Sequence, residues 1–331
     1  MIKKILGMGN ALTDILLQIQ NDDLLKKLNL LKGGMQLINS EKVTEIQGNF
    51  NLSEAKMATG GSASNTVNGI TRLGGKAGFF GKIGRDEIGA FFMQDTLHNG
   101  VVPHLSYSEQ KSGTCTVLVS GDGERTLCTF LGAACELEPA DLKPEMFIGY
   151  DIFHIEGYLV QNHDLIHTAI RMAKEAGLLV SIDLASYNVV EANLEFLKSI
   201  VSDYVDVVFA NEEEAKAFTG KEPEEALIHI AEHAYIAVVK IGKDGSFVRS
   251  GDAQHTIKPY LADCIDTTGA GDLYAAGFLY GMARGLTLDK CGLIGSFVSS
   301  QVVEVLGAKM DDHTWQNINQ QVEKIVAGLE Y

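Results

Sequence analysis

The sequence predicts an α/β fold: a mainly parallel central sheet flanked by helices, with a small second sheet projecting from it. Three observations predict this. Short apolar runs rich in β-branched residues recur along the chain, segments of helical periodicity lie between them, and one stretch near residue 115 breaks the alternation with a hairpin pattern.

The apolar runs are 5–8, 77–83, 151–155, 178–183, 205–210 and 236–241, several of them apolar at every position, as strands covered on both faces are. Helical periodicity occupies 63–73, 87–98, 164–175 and 212–218, so the strands are expected to run parallel and to be joined by crossover helices. The stretch 101–131 reads differently, as strands 113–120 and 125–131 around the turn Gly121-Asp122-Gly123. With residues 12–38 it is expected to form the projecting sheet. From Asp272 onward the chain reads as helical over 273–283, 288–306 and 314–329. No Pro/Ser-rich linker or repeat divides it, so residues 1–331 are read as one domain with inserted lid segments 12–38 and 101–131.

Composition narrows the function classes. Hydrophobic residues make up 46% of the 331, enough for a large core. The 27 basic residues against 43 acidic ones give a formal charge of −16, which repels nucleic acid and anionic membranes. A small phosphate ligand is still admissible, because backbone N–H groups at a helix N-terminus can hold it locally. The five cysteines contain no C-x-x-C pair, so neither a disulfide framework nor a zinc site is expected, and a reducing, cytoplasmic setting fits. Asn10 and Asp14 interrupt the N-terminal apolar run, which reads as a strand rather than a signal peptide, and no apolar stretch approaches membrane-spanning length.

The strongest local signal is Asp266-Thr267-Thr268-Gly269-Ala270-Gly271-Asp272, which runs straight into a helical stretch. Small residues let backbone approach an oxyanion, and the N–H groups of Gly269, Ala270 and Gly271 can stabilise charge on a transferring phosphoryl group. Asp272 is then the candidate base for an attacking hydroxyl. The plainer reading is a helix cap after a glycine-rich turn.

Gly60-Gly61-Ser62-Ala63-Ser64-Asn65 puts two glycines before a helix, where backbone and the Asn65 amide could meet a ligand's hydroxyls; an ordinary Ser-capped helix is the rival reading. The segment Gly7-Met8-Gly9-Asn10-Ala11-Leu12-Thr13-Asp14 follows the first strand, at the sheet edge where ligands bind, and Asp14 could accept both protons of a vicinal diol. As a dinucleotide fingerprint it fails at Leu12, where the third glycine should stand. Asn211-Glu212-Glu213-Glu214 could hold hydrated Mg²⁺ or simply complement a helix dipole. A P-loop is absent, since none of the Gly-Lys pairs is followed by Ser or Thr. Arg125 could reach a phosphate from the hairpin. The pairs His163/His167 and His229/His233 have helical spacing, but no third metal ligand is evident.

Taken in order, these pieces resemble the PfkB, or ribokinase-like, carbohydrate kinase family, on Gly60, Gly61 and Asn65 and on the whole run from Asp266 to Asp272. The chain is most similar to the adenosine kinase branch, in GMGNALTDI from Gly7, SGTC from Ser112, GERTL from Gly123 and the strand exit VVFANE from Val207. The resemblance implies a three-layer α/β/α domain with a β-sheet lid, and transfer of a phosphoryl group from ATP to a hydroxyl of a sugar or nucleoside. It implies that Asn10, Asp14, Gly60, Gly61, Asn65 and Arg125 bind substrate, Asn211 and Glu214 organise Mg²⁺ through water, and Asp272 deprotonates the acceptor. Asn211, Lys240, Gly242, Gly245 and Thr267, with the helix around Ser299, should border ATP. A monovalent cation near the Asp-Thr motif and a monomeric or homodimeric state are also compatible with it. In one departure, Gly157-Tyr158-Leu159 carries a single aromatic where adenosine kinases often have two phenylalanines.

Overall fold

The structure, a computed structural model, describes residues 2–51 and 55–329. The N-terminal part comprises β1 (Lys4–Met8), β2 (Leu12–Gln18), α1 (Asp23–Lys27), β3 (Met35–Leu37), α2 (Ser40–Gln47), β4 (Lys56–Gly60) and α3 (Ser62–Arg72). It continues through β5 (Lys76–Gly84), α4 (Glu87–His98), β6 (Val102–Ser108), β7 (Gly113–Val119), β8 (Arg125–Phe130), β9 (Ile152–Glu156), α5 (His163–Glu175) and β10 (Leu179–Asp183). Then come α6 (Tyr187–Ala192), α7 (Leu194–Asp203), β11 (Val207–Asn211), α8 (Glu212–Thr219), α9 (Pro223–Ala231), β12 (Ile236–Lys240), β13 (Ser246–Ser250) and β14 (Ala253–Ile257). Three helices close the chain: α10 (Ala270–Ala283), α11 (Leu288–Val302) and α12 (Asp312–Ala327).

The large sheet has the order β14-β13-β12-β11-β10-β9-β1-β5-β6. Its strands from β12 to β6 run parallel, and β13 and β14 add an antiparallel edge. The apolar runs form its centre because both faces are covered. Val207 and Phe209 of β11 point into a core shared with α3, α10 and α11, while Val208 and Ala210 point into a second core shared with α5, α7, α8 and α9. Alternate residues of one strand thus serve opposite layers, which demands an apolar residue at every position.

The small sheet has the order β3-β8-β7-β2-β4. The hairpin around Gly121 to Gly123 is present as antiparallel β7 and β8. The expected lid boundaries need two corrections. Residues 102–108 belong to the large sheet, where β6 pairs in parallel with β5, so the second lid segment begins near Gly113. β6 is half-exposed along most of its length and shows no alternation that would assign it to one sheet; the crossover through α4 decides it. The first segment extends past residue 38, because β4 pairs antiparallel with β2. The β13–β14 hairpin was not anticipated either, although its Gly251-Asp252 turn is a legible signal.

Candidate functional site

A cleft of about 1450 Å³ opens between the carboxyl edge of the large sheet and the small sheet, and every residue of the predicted site except Gly60 lines it. Parallel strands direct their carboxyl ends, and the N-termini of the helices that follow, to one edge. Glu156, Asp183, Asn211 and Lys240 are accordingly the last residues of β9, β10, β11 and β12.

Asp272 lies in the first turn of α10. Its Oδ1 accepts from Ser62 Oγ at 2.7 Å and its Oδ2 from Asn65 Nδ2 at 3.0 Å, so the N-termini of α3 and α10 are clasped together. Burial raises the Asp272 pKa, Asn65 and Ser62 oppose the rise, Asp183 adds to it and Lys240 offsets it; the net position is above the ordinary value. A carboxylate raised in this way, with lone pairs to spare, can take a proton. Beside it, the Ala270 N–H donates to Thr267 O at 3.1 Å to close the turn. Of the three amides expected to form an anion hole, those of Gly269 and Gly271 meet no acceptor among the described residues.

Asp14, on β2, is held near the cleft by the absence of a side chain at Gly60. A Cβ there would come within 2.5 Å of Asp14 Oδ1, so Gly60 serves the site indirectly. Gly61 takes φ 91°, and a Cβ on it would lie 2.1 Å from the Asn10 carbonyl oxygen; only glycine fits. Burial pushes the Asp14 pKa up to about 6 against the charges of Lys309 and Arg125, with Asp272 adding to the rise.

Asn10, which lines the cleft, is anchored by Glu156. Its backbone N and its Nδ2 both donate to Glu156 Oε1, at 2.9 and 2.5 Å, while Ala63 N donates to Oε2 at 3.0 Å. Burial raises Glu156 to about 7 against these donors. Arg125 is likewise engaged: Nη1 pairs with Asp266 Oδ2 and donates to Thr268 Oγ1 at 2.9 Å, which ties the small sheet to the glycine-rich motif. Asp266 also accepts from Gly307 N at 2.7 Å and from Thr268 N at 3.0 Å. Burial works to raise Asp266, but these donors and Arg125 outweigh it and hold the carboxyl below its usual range.

At the other end of the cleft Lys240 Nζ donates to Asp183 Oδ2 at 2.8 Å and lies 3.1 Å from where a Cβ on Gly271 would stand. The ammonium therefore sits against the N-terminus of α10. Asn211 and Glu214 form a reciprocal capping box: Asn211 N and Nδ2 donate to the Glu214 carboxylate at 2.8 and 2.7 Å, and Glu214 N donates to Asn211 Oδ1 at 2.9 Å. The helix-cap reading is therefore what the hydrogen bonds show, and the cap also lines the cleft. Burial and then Asp183 raise Glu214 to about 7, with Lys240 the main opposing charge. That excess of carboxylates over cations, with hard oxygen donors only, fits a hydrated Mg²⁺.

Sequence reasoning passed over Asp183, Glu156 and Ser62. Asp183 and Glu156 had a signal: each is the first acidic residue after an apolar run, at the edge where parallel strands end. The predicted histidine pairs lie elsewhere. His163 bonds Asn193 Oδ1 at 3.0 Å and stacks on Phe196, and His229, Glu232 and His233 form a cluster outside the cleft.

A family model described as pfkB family carbohydrate kinase matches residues 34–315. The chain belongs to this family. Its fold is also that of a probable sugar kinase protein from Rhizobium etli, with TM-score 0.86 and 31% identity over 99% of both chains. An adenosine kinase from Sinorhizobium meliloti superposes with TM-score 0.85 at 31% identity, covering 97% of this chain and all of that one. In sequence, a nucleoside kinase of Methanocaldococcus jannaschii is 28% identical over 302 residues, 87% of this chain and 93% of the relative. The protein is thus a PfkB-family sugar or nucleoside kinase, and membership implies use of ATP and usually Mg²⁺. No helix among the described residues is long and apolar enough to cross a membrane.

Proposed function

We propose that the protein transfers the γ-phosphoryl group of ATP to the 5′-hydroxyl of adenosine, giving AMP. The observation that carries the reading is the clasp of Asp272 by Ser62 and Asn65 at the amide-bearing start of α10, in the same cleft as Asp14. Asp14 accepts hydrogen bonds from the ribose diol, with Gly61 and Asn65 alongside. The acceptor oxygen attacks phosphorus, its proton passes to Asp272, and the bond to the bridging oxygen of ADP breaks. Gly269 and Gly271 N–H groups and the Lys240 ammonium stabilise the charge on the transferring group. ATP lies along Lys240, Gly242, Gly245 and Thr267. Asn211 and Glu214 would hold Mg²⁺ through water, and that ion supplies charge neutralisation on the phosphates when bound. A cytoplasmic location, where ATP is abundant, accords with five free cysteines.

A nucleoside is favoured over a bare sugar by the apolar wall of the cleft. Met35 and Leu37 are 57% and 66% exposed there, next to Val117, Leu127 and Leu131. Such a surface suits a purine face and gives a small polyol little to bury. Turnover of adenosine, inosine, ribose, fructose and 2-keto-3-deoxygluconate with ATP tests the reading. Adenosine is expected to have the highest kcat/KM; turnover of free sugars or the keto-sugar acid alone rejects it.

The pH dependence has a definite sign. The folded pKa of Asp14, about 6, lies above its ordinary 3.8, so the folded state binds an extra proton between these values. The stability this lends is present below pH 3.8 and is lost as pH rises through about 6. Asp14→Asn should therefore melt higher than the wild type at pH 7.5 but not at pH 3.5. It should also raise KM for adenosine by roughly 10- to 100-fold, the worth of a charge-assisted hydrogen bond or two, and abolish the rise in KM expected of the wild type below pH 6. Thermal melts and initial rates across pH check both signs.

A further inference from the structure

Glu232 supplies the third ligand that the spacing of His229 and His233 left missing. His229 lies in the last turn of α9, Glu232 is the C-cap residue, and His233 follows in the turn that leads to β12. Spacings of three and four residues return side chains to one helix face. Helical hydrogen bonding runs on far enough to keep them there, since Glu232 N donates to the Ile228 carbonyl at 3.2 Å and His233 N to that of Ile230 at 3.0 Å. His229 Nδ1 stands 3.4 Å from Glu232 Oε2, and the two imidazole centroids are 5.5 Å apart with their planes at 79°. One ligand atom from each of the three residues lies within 4.8 Å of the other two.

A tetrahedral Zn²⁺ with bonds of about 2.1 Å sets its ligand atoms roughly 3.4 Å apart. The His229–Glu232 pair already has that spacing, and the widest pair has to close by about 1.4 Å at most. Nothing in the packing resists this. The His229 and Glu232 side chains are 35% and 62% exposed and His233 is exposed, so small rotations move them without disturbing a core. Two imidazoles with one carboxylate suit a borderline transition-metal dication, whereas Mg²⁺ asks for a shell of oxygens. The location adds an electrostatic gain, because the C-terminus of a helix is the negative end of its dipole and the formal charge of the chain is −16.

We propose that His229, Glu232 and His233 form a surface site for one transition-metal dication such as Zn²⁺, with water completing its coordination. None of the three residues lines the cleft, so the site is separate from the Asn211–Glu214 end to which Mg²⁺ is assigned, and it stands whichever acceptor the enzyme phosphorylates. A bound ion ties the last turn of α9 to the turn that enters β12. It therefore stabilises the fold, because the ligands converge only when that turn is formed.

The test is titration of the full-length, metal-free protein with Zn²⁺, followed by calorimetry and by ¹⁵N NMR of the imidazole rings. Exposed Cys135 and Cys264 and the carboxylates of the cleft also attract Zn²⁺, so variants assign the site. The ring nitrogens of His229 and His233 are expected to shift together as one equivalent binds, and to stay in place with Mg²⁺. His229→Ala and His233→Ala should each weaken that binding by more than roughly 10-fold, the least that losing even an outer partner of a metal site costs. Cys135→Ser combined with Cys264→Ser should leave it intact. Zn²⁺ should raise the melting temperature of the wild type and not that of His233→Ala, while kcat with ATP is the same in both. Unmoved His229 and His233 resonances, or an affinity equal in the wild type and His229→Ala, overturn the assignment and leave an ordinary surface pair of His229 and Glu232.

Discussion

Asp272→Asn lowers kcat for adenosine phosphorylation by roughly 10²- to 10⁴-fold, the contribution of a positioned general base, with KM for adenosine and ATP little changed. The expectation follows from the clasp. Asparagine keeps the shape of the side chain and can still meet Ser62 Oγ and Asn65, so the junction between α3 and α10 survives. What it loses is the ability to take a proton from the attacking hydroxyl. Stability should not fall, because the Asp272 pKa is raised by burial and the ionised carboxylate is a burden on the folded state at neutral pH. Steady-state kinetics with a thermal melt decide between roles. Ordinary turnover removes Asp272 from the chemistry, and a lower melting point with both KM values raised reduces it to a structural clasp.

Lys240→Met destabilises the protein by roughly 3–5 kcal/mol, the cost of removing one partner from a buried ion pair, and removes phosphoryl transfer with it. Side-chain exposure at the Lys240–Asp183 pair is only 14% and 9%, and Glu214 stands by as a second buried carboxylate. Without the ammonium, both carboxylates lose their counter-charge. The Lys240 pKa is raised: burial opposes its charge, but Asp183, Glu214 and Asp272 more than compensate. Its stabilising contribution is therefore fully present below the ordinary lysine value and is lost only as pH rises through the elevated one. Glu214, at about 7, loses its main opposing charge in the variant, so the deficit should be larger at pH 8 than at pH 6. A second change, Asp183→Asn, should restore part of the stability but none of the activity, because the charge beside Gly271 is still missing. Urea midpoints and kcat for the single and double variants test this. Full stability in Lys240→Met would mean that the pair is open to water.

How much of this was legible beforehand depends on the length scale of each signal. The doubly covered strands were readable because every position of a run such as Val207 to Ala210 must be apolar when alternate residues enter different cores. The glycine-rich motif was readable because a turn into a helix needs small residues over a few consecutive positions. The lid boundaries were not, since Val102 to Ser108 is half-exposed along most of its length with no alternation to favour one sheet, and its place depends on the helix that precedes it. Asn10 and Arg125 were identified from their neighbourhood in the chain, but their partners Glu156 and Asp266 are more than a hundred residues away.

The sequence alone determined the α/β class, the family to which the chain belongs and, Ser62, Glu156 and Asp183 apart, many of the residues gathered at the cleft, because these follow from local periodicity and contiguous motifs. Tertiary structure alone decided which amides remain free at the start of α10, that Arg125 Nη1 pairs with Asp266, and that Glu156 anchors Asn10. Each of those depends on hydrogen bonds and charges brought together from distant segments, and no local pattern of residue types records such a meeting.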